Sequence, residues 1–106
     1  MSKHWRITKE YRRWIKECKK RDGNKCVITG SSKRLEVHHK NSGSFFPDER
    51  YDLDNGVTIH RFVHILFHWF YMKSTRHKCT KKDWKRFERF FKYVRLISDL
   101  LRKNKM

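Results

Sequence analysis

Residues 36–40 read EVHHK, and residues 55–68 read NGVTIHRFVHILFH. Five of the seven histidines of the chain lie in these two runs. The aliphatic and β-branched residues before His38 predict a short strand at 35–37, whose alternation sends the side chains of His38 and His39 to opposite faces. A second β-branched run at 57–59 predicts the partner strand, so the two strands form a hairpin joined by a long loop.

A helical pattern begins at His60. His60, His64 and His68 recur every four residues, so we expect them to stack along one helix face about 6 Å apart. The apolar residues on the other side are predicted to be buried, namely Phe62, Val63, Leu66, Trp69 and Phe70. A β-hairpin followed by a helix is the smallest frame that brings His38 and His64 to one ion.

The charge of the chain predicts a polyanionic partner. Its 28 Lys and Arg against 11 Asp and Glu give a formal net charge of +17 in 106 residues. Each Lys or Arg that neutralises a phosphate releases a condensed counterion, so a balance this basic favours nucleic acid. Charge alone would also suit an anionic membrane surface or a ribosomal-type scaffold. A chain of this length fits one small domain, which we expect to span residues 1–106.

The cysteines and the hydropathy pattern indicate the cellular compartment of the protein. The three cysteines, at 18, 26 and 79, lack the spacing of a disulfide framework, which favours a reducing cytoplasm. No apolar run approaches the ~20 residues that a membrane span needs. The N-terminal residues have no hydrophobic region behind their charges, unlike a signal peptide. We therefore expect a soluble cytoplasmic protein with no membrane partner.

Amphipathic helices are predicted on both sides of the central run. In residues 8–21 the apolar side chains of Tyr11, Trp14, Ile15 and Cys18 fall at helical spacing, and the sequence DGN at 22–24 ends the helix. Residues 25–29 are compatible with a short strand. Beyond that, the long segment between His39 and Val57 is expected to be a loop.

The last helix is predicted at about 80–103, and it is strongly basic. It begins with a capping box formed by Thr80 and Asp83. Its apolar residues recur at spacings of three and four, and they are Trp84, Phe87, Phe91, Val94, Ile97 and Leu101. We expect this stripe to belong to the core rather than to a partner surface, with the turns beyond residue 98 free to extend past the domain.

The motif Glu36-Val37-His38-His39, then Asn55, then His64, occurs in the order and spacing found in HNH nucleases. Residues 14–68 resemble that family, and most of all its small phage proteins, including free-standing homing endonucleases. The resemblance implies an α+β domain built on a ββα-metal (His-Me finger) motif at about 26–73, with flanking N-terminal and C-terminal helices. It implies hydrolysis of double-stranded DNA, in the host bacterial cytoplasm if the protein comes from a phage.

The resemblance also implies roles for four of the matched residues. His39 would be the general base, since an imidazole with a pKa near ~6.5 can take a proton from water at neutral pH. His38 and His64 would hold one divalent cation, Mg²⁺ or Mn²⁺ or another transition metal, which polarises the phosphate. Asn55 would brace the loop and orient the base, although the sequence DNG at 54–56 is also a good turn.

Contacts to DNA phosphates are expected from residues around this centre, namely His68, Lys40, Arg50 and Arg61. His68 could instead complete the metal shell. Many HNH proteins also bind structural zinc through two Cys-x-x-Cys pairs. The corresponding places here hold Cys26 with Thr29 and His60 with Val63, so we expect no structural zinc.

Two other functions fit the same residues. A non-catalytic nucleic-acid-binding protein could keep the ββα frame, but it would have no need of His39. A histidine-rich zinc module would need a closed site with four ligands. The sequence leaves the oligomeric state open between monomer and dimer, and a single ββα site that cuts one strand would need a dimer or two visits to break a duplex.

Overall fold

The computed structural model describes residues 4–71 and 78–104 of the chain. Within these ranges the protein is a small α+β protein with three α-helices and a two-stranded antiparallel sheet. In chain order the elements are α1 at Lys9–Arg21, β1 at Leu35–His39, β2 at Gly56–His60, α2 at Arg61–Tyr71 and α3 at Lys81–Asn104. Short 3-10 turns lie at His4–Ile7, Pro47–Glu49 and Leu53–Asn55.

The sheet has two faces with different neighbours. In the register of the two strands, His38 lies opposite Val57 and His39 lies opposite Gly56. Cross-strand partners share a face, so His38 and His39 point to opposite sides of the sheet as predicted. Val57 packs with residues of α2 and α3, whereas Gly56 lies against Trp14 of α1.

Two clusters of buried side chains form the core, one on each face. The larger cluster joins the sheet to α2 and α3, and its buried members are Cys26, Ile28, Val57, Ile59, Val63, Phe67, Cys79, Trp84 and Phe87. The smaller cluster joins α1 to β1 through Trp14, Cys18 and Val37. The indole N–H of Trp14 also donates to the carbonyl of Asp52 at 2.7 Å, which ties α1 to the long loop between the strands.

The predicted boundaries of α1, at Thr8 and at residues 22–24, are confirmed. The predicted start of α3 at Thr80 is confirmed as well. The hydroxyl of Thr8 accepts the amide of Tyr11 at 3.2 Å at the start of α1. Gly23, with φ of 70°, lies in the left-handed region just after α1. Before α3, the amide of Thr80 donates to Asp83 at 3.1 Å and the amide of Asp83 donates to Thr80 at 3.4 Å, which is a capping box.

The strand predicted at 25–29 is wrong. This segment is a tight turn, in which the amide of Gly30 bonds to the carbonyl of Cys26 at 2.8 Å and the amide of Thr29 bonds to the sulfur of Cys26 at 3.3 Å. One backbone bond, from Val27 to Thr58, joins it to β2. A turn forms instead of a strand because the amides of Thr29 and Gly30 find their acceptors locally.

The predicted start and buried face of α2 also need correction. His60 is the last residue of β2, and its Nδ1 accepts the amide of Phe62 at 2.9 Å, so the helix begins at Arg61. Val63 and Phe67 are buried as the inward stripe of α2. The predicted burial of Phe62, Trp69 and Phe70 is wrong, since these side chains are exposed, and Leu66 is only partly buried.

Only the first half of α3 belongs to the core. Trp84 and Phe87 are buried, whereas the predicted core residues Val94, Ile97 and Leu101 are exposed because the helix runs past the body of the protein. The predicted end of the ββα motif at residue 73 lies outside the described residues. In the described ranges, no helix combines the length and apolarity that crossing a bilayer requires.

Candidate active site

Three histidines converge where β1 ends beside α2. Nδ1 of His38 lies 3.2 Å from Nε2 of His64, and Nε2 of His68 lies 3.1 Å from the same atom. One ring nitrogen from each of the three side chains lies within 4.8 Å of the others, so the group could hold a metal ion. His68, one turn beyond His64 on α2, thus joins the two histidines predicted as ligands. His60, at the end of β2, is not part of the group.

The spacing and chemistry of these nitrogens suit a shared cation. An ion bound about 2.1 Å from each nitrogen would separate its ligands by about 3.0–3.4 Å, and the two measured distances are close to that spacing. Three imidazoles also leave coordination positions for water or substrate oxygen, as a catalytic site requires.

The protonation of the group also favours metal binding. Burial, together with the charges of His64 and His68, lowers the pKa of His38 well below its ordinary value. Partial desolvation, together with the charge of His64, also lowers the pKa of the more exposed His68. An imidazole must be neutral to donate its lone pair to a cation, and both side chains are in that form at neutral pH.

Two residues that the sequence analysis did not assign contact this group. Oε1 of Glu36 lies 2.8 Å from Nδ1 of His64, so that nitrogen carries the proton and Nε2 keeps the free lone pair. The sulfur of Cys79 lies 3.7 Å from Nε2 of His38. Burial raises the pKa of Cys79 to about 12, so it remains a thiol. The alternation of β1, which places Glu36 on the face of His38, could have revealed the first contact.

His39 occupies a different environment on the α1 face. Its ring stacks on Trp14 with centroids 4.0 Å apart, and Trp5 meets it edge-on at 5.3 Å. Nε2 lies 2.8 Å from the carbonyl oxygen of Arg50. Because a carbonyl can only accept, Nε2 carries the proton and Nδ1 carries the lone pair.

The lone pair of His39 is available at neutral pH. The pKa of His39 is lowered to about 4, mainly by burial and also by the charges of Arg6 and Arg50, while the bond to the Arg50 carbonyl opposes this shift. In the described ranges, Nδ1 of His39 has no hydrogen bond and is not a fully buried polar atom, so its lone pair is not committed to a partner there. The charge of His64 also acts on this pKa, so the three-histidine group lies within electrostatic reach of His39.

Asn55 is fully buried and holds the loop that presents the Arg50 carbonyl. Its side-chain amide donates to the carbonyls of Asn41 at 2.9 Å and Glu49 at 3.1 Å. Its side-chain oxygen accepts the amide of Asn41 at 2.7 Å. Since Glu49 directly precedes Arg50, these bonds hold the backbone that presents the Arg50 carbonyl to His39.

The basic residues predicted to contact phosphate differ in whether their side chains are already bonded within the protein. Nε of Arg50 donates to the carbonyl of Gly43 at 3.0 Å, and its guanidinium lies 4.6 Å above the Trp5 ring, so this side chain holds the loop. Lys40, which directly follows His39, is partly buried, and Arg61 is exposed one turn before His64. These two residues are better placed than Arg50 to meet a phosphate.

Arg6 is a further basic residue at this site. It is exposed, its guanidinium lies 4.8 Å from the Trp5 ring centre, and its charge lowers the pKa of both His39 and His68. It therefore lies near both histidine environments. No sequence signal could have identified it, since Arg6 is far from His39 in the chain and only the packing of Trp5 brings them together.

Comparison of the chain with protein-family models, with curated proteins and with solved structures finds no match. The functional interpretation therefore depends on the geometry and chemistry of the site.

Proposed function

We propose that this protein is a metal-dependent DNA endonuclease of the HNH type, in which a ββα-metal (His-Me finger) unit sets a general base beside a cation site. The observation that carries the proposal is the pairing of two features on one strand. His39 is a neutral imidazole anchored by a carbonyl, and the preceding residue, His38, belongs to a group of three imidazoles. Packing alone requires neither feature.

His38, His64 and His68 would hold one divalent cation. Bound there, the cation supplies positive charge that polarises the phosphate and stabilises the leaving oxygen. Glu36 keeps the ring of His64 in the orientation and tautomer that a ligand needs. Nitrogen ligands favour manganese, nickel or cobalt in the free protein, whereas magnesium prefers oxygen and would bind better once phosphate oxygens are present.

His39 would activate the attacking water. Nδ1 takes a proton from the water, whose oxygen attacks the phosphorus as the bond from phosphorus to the 3′-oxygen breaks, and that oxygen takes a proton from solvent. Throughout, Nε2–H keeps its bond to the carbonyl of Arg50. That carbonyl stabilises the imidazolium that forms. A pKa of about 4 is low for a base at neutral pH, but the negative charge of bound DNA would raise it. By resemblance, the products would carry a 5′-phosphate and a 3′-hydroxyl.

Double-stranded DNA is the proposed substrate because of charge. The net charge of +17 is carried largely on exposed faces of α1 and α3, which would contact phosphates without reading bases. The charges of Lys40 and Arg6 act on the pKa values of the histidines, and Arg61 is exposed at the start of α2, so these three side chains would position the phosphate to be cut.

Cleavage of supercoiled plasmid tests the proposal. We expect nicking with Mg²⁺ or Mn²⁺, none with EDTA, and recovery when metal is restored. The His39→Asn variant should bind DNA without cutting it. His60→Asn is the matched control, since Asn can also cap a helix and His60 lies outside the metal group, so it should cleave like wild type. Absence of cleavage by wild type with every metal would refute the nuclease.

The net charge of +17 also favours a second candidate, a nucleic-acid-binding protein without catalysis. It predicts DNA binding that weakens steeply with salt and no cleavage. A histidine-rich zinc module would instead lose helix cooperatively when EDTA removes the metal. Circular dichroism with and without EDTA separates this outcome from the nuclease, whose core is built by apolar side chains such as Trp14, Phe67 and Trp84.

A further inference from the structure

The C-terminal half of α3 carries a row of apolar side chains that face solvent. Trp84 and Phe87, in its first turns, are 3% and 1% exposed. Further along the same stripe, Val94, Ile97 and Leu101 are 43%, 40% and 59% exposed. In the described ranges, Arg95 is the last α3 residue to hydrogen-bond to the rest of the protein, through the carbonyl of Ile28. The helix continues to Asn104.

These residues have the spacing of a helix pair. Phe90, Val94, Ile97 and Leu101 follow one another at intervals of four, three and four residues, which is the a and d pattern of a coiled coil. We call these four residues the α3 seam. Tyr93 and Leu100 flank it on one side, and Phe91 and Ser98 flank it on the other, so the neighbouring e and g positions are uncharged.

The charged residues of this segment all avoid the seam. Every one of them between positions 88 and 103 falls at b, c or f of the same heptad, and they are Glu88, Arg89, Lys92, Arg95, Asp99, Arg102 and Lys103. On this outer face Lys92 pairs with Glu88 at 4.0 Å and Arg102 pairs with Asp99 at 3.5 Å. In a chain of net charge +17, the seam therefore lets a second copy approach without contact between like charges.

The apolar area of this face is sufficient for a specific contact. A half-exposed aromatic side chain leaves roughly 100 Å² uncovered, so the seam with Tyr93 and Leu100 presents on the order of 500 Å² per copy. Two copies would bury on the order of 1,000 Å², the lower bound of a specific interface. We infer that the protein forms a homodimer in which the α3 seam packs against the α3 seam of a second copy. The contact is self-complementary, as a two-fold pair requires.

Leu96 distinguishes this dimer from binding to an anionic membrane. Leu96 is 56% exposed but lies at position c, at the edge of the apolar face and outside the seam. A membrane surface would bury the whole apolar face and so include Leu96. A partner helix contacts a narrower strip. The pair Ile97→Glu and Leu96→Glu therefore compares equal changes at adjacent exposed positions.

Sedimentation velocity of the full chain in high salt tests the inference. We expect wild type to sediment as two copies at micromolar concentration. Ile97→Glu should weaken association at least about a hundredfold, because both copies lose a buried aliphatic group and gain a buried charge. Leu96→Glu should associate like wild type. A wild type that stays monomeric as its concentration rises, or equal effects of the two variants, would overturn the dimer.

Two further measurements complete the test. Circular dichroism should give the same helix content for both variants at a concentration where wild type is monomeric, so that loss of folding is not mistaken for loss of contact. Binding to vesicles that contain phosphatidylserine tests the alternative that an anionic membrane covers this face. Vesicle binding that Leu96→Glu and Ile97→Glu weaken equally, with a monomeric wild type, would assign this face to a membrane and refute the dimer.

Discussion

β1 ends in two consecutive histidines that face very different surroundings. His38 turns towards α2, where it meets two further imidazoles and is 4% exposed. His39 turns towards α1, where an indole covers its ring and a single carbonyl fixes its tautomer. The first environment brings three imidazoles together, and the second encloses one imidazole and leaves its Nδ1 without a hydrogen bond in the described residues.

The chemical role that a histidine can take therefore depends on its surroundings and not on residue type alone. Nε2 of His39 is bonded to the carbonyl of Arg50, so Nδ1 holds the lone pair that can accept a proton. His38 is packed against Phe67 and Trp84, with centroid distances of 4.5 and 5.2 Å, so solvent reaches it poorly. The first arrangement suits a base and the second suits a ligand.

The largest expected effect is the loss of cleavage rate when His39 is substituted. His39→Asn should lower the cleavage rate about 10³-fold at saturating metal, because positioned proton transfer contributes 10²–10⁴-fold. The affinity for Mn²⁺ or Ni²⁺, measured by isothermal titration calorimetry, should stay within about twofold of wild type. A parallel loss of metal affinity would contradict the separate roles of His38 and His39, since His39 would then be a ligand.

Substitution of Glu36, which lies on the same face of the sheet as His38, should have a smaller effect. We expect it to lower the affinity for metal rather than the rate of the chemical step. Glu36→Gln removes the negative partner of His64, and we expect metal affinity to fall about 10–100-fold, as for other carboxylates that support a ligating histidine. Excess Mn²⁺ should restore cleavage in Glu36→Gln but not in His39→Asn. A cleavage defect that metal does not rescue would show that Glu36 acts on something other than the cation site.

The packing against α1 predicts a loss of stability at Gly56. A Cβ at this position would lie 2.5 Å from the sulfur of Cys18 and 2.6 Å from Cζ2 of Trp14. Gly56→Ala should therefore lower the free energy of unfolding by about 1–3 kcal/mol in urea titrations. Adding Cys18→Ala should recover part of that loss in a double-mutant cycle, and strict additivity of the two changes would refute the proposed contact.

The smallest predicted effect is the pH dependence of stability in EDTA-treated protein. The pKa of His39 is about 4 in the folded chain and near ~6.5 when unfolded. Between these values the unfolded chain binds a proton that the folded chain does not, so stability present above pH ~6.5 is lost as the pH falls. Urea midpoints at pH 7 and pH 5 should differ by about 1–2 kcal/mol more in wild type than in His39→Asn.

The sequence determined the local elements and the order of the site residues. Period-two alternation placed His38 and His39 on opposite faces, and β-branched runs located both strands. The residues at Thr8 and Thr80 set the helix starts, because a hydroxyl at a helix start satisfies amides only a few residues away. These features are local, so the sequence around them is sufficient to predict them.

Tertiary structure decided which apolar side chains are covered and which further residues join the site. The same apolar stripe of α3 is buried at Phe87 and exposed at Leu101, because the body of the protein ends before the helix does. Periodicity indicates which face of a helix is apolar, but not how far its neighbours extend. Arg6 reaches the histidines only through the packing of Trp5. Likewise, the tautomer of His39 depends on the carbonyl of Arg50, which distant contacts of Asn55 hold in place.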